Sequence, residues 1–600
     1  MHSQTLDELN KFRIAQALEG AGEYARAIDF YQELYHISPG NVVYFDGLRR
    51  CYMQLKRYDE AVELIKSRIA VEPDNVVLYG ELGDALYKAG KTDSAMTVWR
   101  MAISLNKGNP EVYRTVANFM VESRLFDKAI EVLKEGESVT HTPVAFAPEI
   151  ARLYVLTTDY RDALGELLKM LESQDHSSAL AYIESQIGMY SSSKEAMSQF
   201  ADELERRVKD SPDNVDIRRL LAFVYMETRD YSSAYKVYKW LDLKSHASGM
   251  ELMNFANQAY NDEAYDVSAN AYKEVASLTD RESVVPAALI GYANSIFKIA
   301  ESLNKNEDDP CKKADSLSLL AEAEAVYVDL AKKYPGTDYA GTAVLNAVKI
   351  RMNYFDDIKG AKSLLNELSK SQEARFKSEQ DILKLQIGLR EGSYDSVVSA
   401  GEDLLGSTTV SGEPFFDRVK LDIGLALFYM GRVDSAAKMF SEISSNPMSD
   451  VANEALYYLG IMRSNSSARD ALVQYALASG MIQSGRVPEG ILILNDIVKK
   501  FPHALLADNV RLKLAEAYCQ VGDLTNSIRV YGEIAGDSTG VFADIAQFRL
   551  GLIYQDRLKD SKKAIEVFED FLRRFPDSIY QDKVRKKIIG LMSQKKEVTG

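Results

Sequence analysis

The chain has 600 residues, a formal net charge of −16 and a pI near 5.1, with 46% hydrophobic and 27% charged residues. That balance excludes a disordered chain, and the acidity argues against nucleic acid as a partner, because displacing counterions from phosphates needs a basic stripe. No run of eighteen apolar residues occurs, so no transmembrane helix is expected, and Cys51, Cys311 and Cys519 lie too far apart for a disulfide framework or a cysteine metal site.

From the N-terminus the chain reads as amphipathic helix almost at once. In "GEYARAIDFYQELYHISPG" (22–40) the small residue Ala27 returns as Ala61, Ala95, Ala129 and Ala163, each 34 residues on. With Ala27 as position 20, five repeats span 8–41, 42–75, 76–109, 110–143 and 144–177. Position 24 carries Tyr31, Ile65, Trp99, Leu133 and Leu167. Positions 7 and 8 carry Ile14–Ala15, Leu48–Arg49, Leu82–Gly83, Val116–Ala117 and Ile150–Ala151. Spacings of three, four and seven place these residues on single faces of two short helices. Pro39 and Pro73 are expected to end the second helix, with Pro110 slightly late for the same task. Two helices cross closely only where a side chain is nearly absent, which assigns Ala27, Ala61, Ala95, Ala129, Ala163 and Gly83 as clearance. Trp99 and its equivalents then fill the neighbouring groove, and Arg49 is the exception at position 8. One such hairpin cannot bury its own apolar face, so consecutive hairpins must stack.

The segment "VVLYGELGDALYKAGKTDSAMTVWRMAISLNKGNP" (76–110) carries Tyr79, Leu82, Gly83, Leu86, Ala95 and Trp99 at the spacings of the W-x2-L-G-x2-Y, A-x3-F and P pattern. The chain therefore resembles tetratricopeptide repeat (TPR) proteins. The resemblance implies an all-α fold, a right-handed superhelical α-solenoid of stacked antiparallel helix pairs. Beyond 177 the pattern loosens. It is led by Ala234 and Tyr238, Ser268 and Tyr272, Ala323 and Tyr327, Ala361 and Leu365, and a poor repeat at Val397 in which Gly401 takes the bulky position. It recovers at Ala436 and Phe440, Gly490 and Leu494, Ser527 and Tyr531, and Ala564 and Phe568. Residues 178–213 read as a degenerate pair, 450–463 as an unpaired helix, and 301–316 and 406–414 as polar, turn-rich insertions. The expected organisation is five regular repeats in 1–177, a degenerate pair with further repeats in 178–310, irregular repeats in 311–411, C-terminal repeats in 412–577, and a capping helix and tail in 578–600. The basic cluster Lys583, Arg585, Lys586 and Lys587 belongs to that cap. "FPHALLADNVRLKLAEAY" and "FPDSIYQDKVRKKI" are similar to turns of bacterial cell-envelope TPR proteins. With no leader at Met1 the expectation is cytoplasmic, and periplasmic if Met1 replaces a removed leader.

Catalytic constellations are not expected. The chain has no GxxxxGK[ST], HExxH or GxGxxG, its six histidines lack metal-ligand spacing, and neither metal nor cofactor is anticipated. "GDSTG" (536–540) satisfies G-x-S-x-G, but helical sequence on both sides makes it an inter-repeat loop, not a nucleophile elbow. Recognition remains.

The resemblance implies that the first helix of each repeat lines a concave groove through positions 2, 5, 6, 9, 12 and 13. Arg114 and Asn118 fall at positions 5 and 9, where some family members clamp a peptide carboxylate, but Val144 and Glu149 stand where that clamp needs cations. Asn118, Asn254, Asn257 and Asn294 are candidate amides for a peptide backbone, with Asn346 a further one. Tyr87, Tyr260 and, beside the groove, Tyr44 are candidate anchors. The expected function is a non-enzymatic scaffold binding one or more proteins or peptides. The alternatives are a cell-envelope assembly factor working through edges and ends, or a regulatory subunit of an enzyme complex.

Overall fold

The structure is a computed structural model describing residues 6–142, 144–172, 176–278, 283–305, 310–368, 375–406, 413–502, 506–537 and 540–599. It forms two compact units, Met1–Ser245 and His246–Gly600, and no strand occurs among the described residues.

In the first unit, five helix pairs follow one another: α1 (Leu6–Gly20) and α2 (Tyr24–Ile37), α3 (Val42–Gln54) and α4 (Tyr58–Ile69), α5 (Val76–Lys88) and α6 (Thr92–Leu105), α7 (Pro110–Glu122) and α8 (Phe126–Thr140), and α9 (Ala147–Leu156) and α10 (Tyr160–Leu168). Each of these helices packs against the next in the chain. Two local devices recur at the same interval. Between the helices of a pair, Gly22, Lys56, Gly90, Arg124 and Thr158 all adopt positive φ, between 58° and 80°. The following amide then closes on the carbonyl five residues back, as in Arg57 N–H to Tyr52 O (2.9 Å) and Asp159 N–H to Tyr154 O (2.8 Å). Between pairs, Asn41, Asn75 and Asn109 cap α3, α5 and α7, each side-chain oxygen accepting from the amide two residues on. Ile37 and Ile69 end α2 and α4 shortly before Pro39 and Pro73, as the sequence predicts. Pro110 is different: it is the first residue of α7, where a missing N–H costs nothing, so it opens a helix and does not close one.

The clearance positions are closed completely. Ala27, Ala61, Ala95 and Ala129 are 0% exposed and Ala163 is 1%. A Cβ on Gly83 would lie 2.2 Å from Trp99 Nε1, and that indole donates to Gly80 O at 3.1 Å. Gly47 under Tyr31, Gly291 under Tyr272 and Gly424 under Phe440 repeat the arrangement. Arg49, the exception, reaches out of its repeat to Glu81 of the next, Nη2 to Oε1 at 2.9 Å. Ile14, at position 7 of the first repeat, is 45% exposed.

After α10 the register changes. A 3-10 turn (Lys169–Glu172) leads to α11 (His176–Gly188) and α12 (Lys194–Asp210), followed by α13 (Val215–Glu227) and α14 (Tyr231–Ser245). In the regular repeats the second helix of a pair packs on the first helix of the next; α10 packs chiefly on α12 instead of α11.

The second unit continues with Met250–Asn261 and Tyr265–Leu278, then two long helices, Val285–Lys305 and Pro310–Lys333. Of the polar stretch 301–316, expected to be a turn-rich insertion, 301–305 and 310–316 are helical and 306–309 lie outside the described residues. Lysine and glutamate are good helix formers, and Pro310 sits at a first helical position. Further pairs follow from Asp338 to Arg574, with Ala452–Ser464 as an extra helix whose Tyr458 stacks on Phe440 at 5.2 Å. In the poor repeat, the space beside Gly401 is taken by Ile423, 2.5 Å from where a Cβ would stand. The helix from Ala543 ends in a π turn, Ile553–Arg557. Gly83 precedes Ala95, and Gly424 precedes Ala436, by twelve residues, but Gly551 precedes Ala564 by thirteen. The π turn absorbs the extra residue, and Gly551 still lies beneath Phe568. Gln581–Thr599 closes the unit through Val584, Ile588 and Leu591. Of the loops singled out in the sequence, residues 407–412 and 538–539, the latter in "GDSTG", lie outside the described residues.

Candidate partner-binding site

The candidate groove residues belong to the first helices of their pairs, and their environments divide them sharply. Tyr44 is 1% exposed and packs against Phe12 with ring centroids 5.4 Å apart, so it is part of the core and not a surface anchor. Its ring points inward because α3 meets α1 along that face. Arg114 is committed to the junction between repeats. Nε donates to Glu149 Oε1 at 2.8 Å, Nη1 to Glu111 Oε1 at 2.6 Å and Nη2 to Ala145 O, and the guanidinium lies 4.9 Å from the Phe146 ring centre. Glu149, which spoils a carboxylate clamp in the sequence, is thus the ion-pair partner of the clamp's other member.

Among the amides, Asn257 Oδ1 accepts from Tyr272 O–H at 2.7 Å and Asn294 Oδ1 accepts from Tyr327 O–H at 2.5 Å. Asn346 Nδ2 lies 3.5 Å from Asn294 Oδ1. These amides seat the hydroxyls of repeat-core tyrosines. Asn118 in the first unit and Asn254 in the second are exposed and make no hydrogen bond with a described residue. Tyr87 is half-buried beside Trp99 (6.3 Å) and Tyr260 is half-buried edge-on to Tyr265 (5.3 Å).

The register change after α10 creates a feature that the repeat pattern does not announce. A pocket of about 330 Å³ opens between α9, α10, α11 and α12. Val155, Leu167, Tyr182 and Met189 form its walls, and Tyr190 and Phe200 line it within an aromatic cluster completed by Tyr160. Pro148, Glu149, Arg152 and Val155 occupy positions 5, 6, 9 and 12 of the fifth repeat, the positions the family resemblance assigns to the groove. Met189 is 59% exposed at its mouth. Arg152 is exposed and pairs with no described residue. The sequence signal that could have found this site is Arg152 at position 9 with Val155 one turn later.

Two carboxyls are perturbed by burial. Desolvation pushes Glu81 up to about 7 against the pull of Arg49, and Asp422 up to about 8, with Glu454 adding to the latter. Both lie in helix-packing interfaces outside the pocket. Among the described residues no three His, Cys, Asp or Glu side chains gather as a metal set, and no helix is long and apolar enough to cross a membrane. Cys51 is buried and Cys519 half-buried, both as free thiols.

Comparison with known proteins gives a family at both ends of the chain. Tetratricopeptide repeat profiles match residues 18–76 and 545–578. No curated protein sequence matches. Among solved structures, one described as Naa15/Naa10 bound to HypK-THB is 13% identical, covering 98% of this chain and 97% of that one, with a TM-score of 0.24. Another, the APC/C hetero-tetramer Cut9–Hcn1, is 16% identical, covering 85% and 96%, with a TM-score of 0.26. TPR repeats are typically non-catalytic modules that bind other proteins. With repeat profiles matched near both termini and helix pairs built on the same small-residue clearance between them, the chain carries tetratricopeptide repeats at both ends of an all-α array of stacked helix pairs.

Proposed function

We infer that the protein is a non-enzymatic scaffold that holds segments of partner proteins against the first helices of its repeats. The observation that carries this reading is a division of labour. Position 8, 20 and 24 side chains, Arg49 apart, are consumed in helix crossings, whereas three groove-face side chains, Asn118, Arg152 and Asn254, are exposed without a described partner. Preformed helix faces bind an extended segment or a helix at little ordering cost to the scaffold, and an exposed amide both donates to and accepts from a peptide backbone.

Arg114 and Asn257 are poor probes of this reading, because both hold the repeats together. The test is quantitative mass spectrometry of co-purifying proteins, comparing wild type with Asn118→Ala and Asn254→Ala combined. Both changes are at exposed sites and should leave the melting curve in place. A several-fold loss of specific partners is expected. Identical partner sets at identical yields would contradict binding through these faces.

A further inference from the structure

The pocket after α10 exists because α10 packs chiefly on α12, leaving open the seat that the first helix of the next repeat fills elsewhere in the array. Its walls are apolar and aromatic, and its volume, about 330 Å³, lies at the small end of the roughly 300–1,000 Å³ typical of ligand pockets. That is room for one bulky side chain. Two charges stand at the mouth: Glu149 is paired with Arg114 at 2.8 Å, while Arg152 is exposed without a described counter-ion.

We propose that this pocket anchors an acidic segment of a partner protein, with a bulky apolar side chain filling it and a carboxylate within about four residues pairing with Arg152. The proposal rests on the scaffold reading above and names the class of partner for one site. A basic segment would meet an unneutralised guanidinium at the mouth. A small anion would leave the apolar walls unfilled, and the lining side chains offer N–H groups only from Arg152 and Gln186. The chain's net charge of −16 disfavours acidic partners at long range, so recognition depends on this local pairing and should weaken as salt screens it.

The test is panning of a displayed random dodecapeptide library on the full chain, for wild type, Arg152→Glu and Gln186→Trp, the last placing an indole in the mouth. Circular dichroism checks that each variant is folded. Wild type should enrich sequences with Phe, Trp, Leu or Met within four residues of Asp or Glu. Arg152→Glu should reverse the charge preference to Lys or Arg while keeping the apolar residue, and Gln186→Trp should lower enrichment at least tenfold. Identical sequences from wild type and Arg152→Glu, or no enrichment from wild type, would overturn the proposal. Those results leave the scaffold reading standing if native partners are still lost from the Asn118→Ala, Asn254→Ala protein, so the two failures are separable.

Discussion

At the scale of the residue, the 34-residue interval is a steric rule. Alanine at position 20 recurs because the crossing leaves no volume for more, and each of the five is essentially inaccessible. Ala95→Leu should therefore overpack the α5–α6 crossing and cost about 1–3 kcal/mol in chemical denaturation; an unchanged midpoint would contradict the register. Arg49 could not be understood from its own repeat, since its partner Glu81 lies 32 positions on and belongs to the next one. Burial holds the folded Glu81 carboxyl near 7, above its ordinary 4.5, despite Arg49; the neighbouring Asp46 and Asp84 push in the same direction. A carboxyl raised on folding contributes stability that is fully present below about 4.5 and is lost as pH rises through about 7. Glu81→Gln should accordingly flatten the fall in stability between pH 5 and pH 8, a difference on the order of 1–3 kcal/mol. An equal slope in both proteins would show that Glu81 does not titrate in that window.

At the scale of the element, the array is built from two turns used repeatedly. Position 15 demands the left-handed region, and Gly22 and Gly90 meet that demand at no steric cost while Lys56, Arg124 and Thr158 do not. Thr158, β-branched with φ of 66°, is the most strained type for such a turn. Thr158→Gly is expected to raise stability by about 1 kcal/mol, seen as a higher denaturation midpoint. A destabilised variant would mean that the Thr158 hydroxyl, which donates to Thr157 O at 2.6 Å, outweighs the backbone strain. Periodicity exposed the helices and their order, because core positions repeat with the helix. It did not expose the turn at position 15, where glycine alternates with lysine, arginine and threonine. Nor did it identify 301–305 and 310–316 as helix, because a polar stretch lacks the apolar stripe on which the reading depends.

At the scale of the whole molecule, each compact unit carries its own buried clusters: one running from Ala15 to Leu153 and one from Ala151 to Leu241 in the first, and one from Leu385 to Ile553 and one from Phe548 to Leu591 in the second. The fold class was legible because small and large residues alternate at fixed spacing. The candidate site was much less so. Sequence position placed Tyr44, Arg114, Asn257 and Asn294 on or beside the right helices, but their partners, Phe12, Glu149, Tyr272 and Tyr327, come from other helices and show in the sequence only as ordinary repeat residues. The pocket at Arg152 depends on a change of helix partner, which no local pattern records. Whether partners are held against the first helices of the repeats is tested most directly by photo-crosslinking. p-Benzoylphenylalanine would be placed singly at Asn118 and Asn254, and at Thr97 on the exposed side of α6, in the 600-residue chain before irradiation with its native partners. Adducts are expected from 118 and 254 and none above background from 97. Equal yields from all three, or adducts from 97 alone, would contradict binding through the first helices.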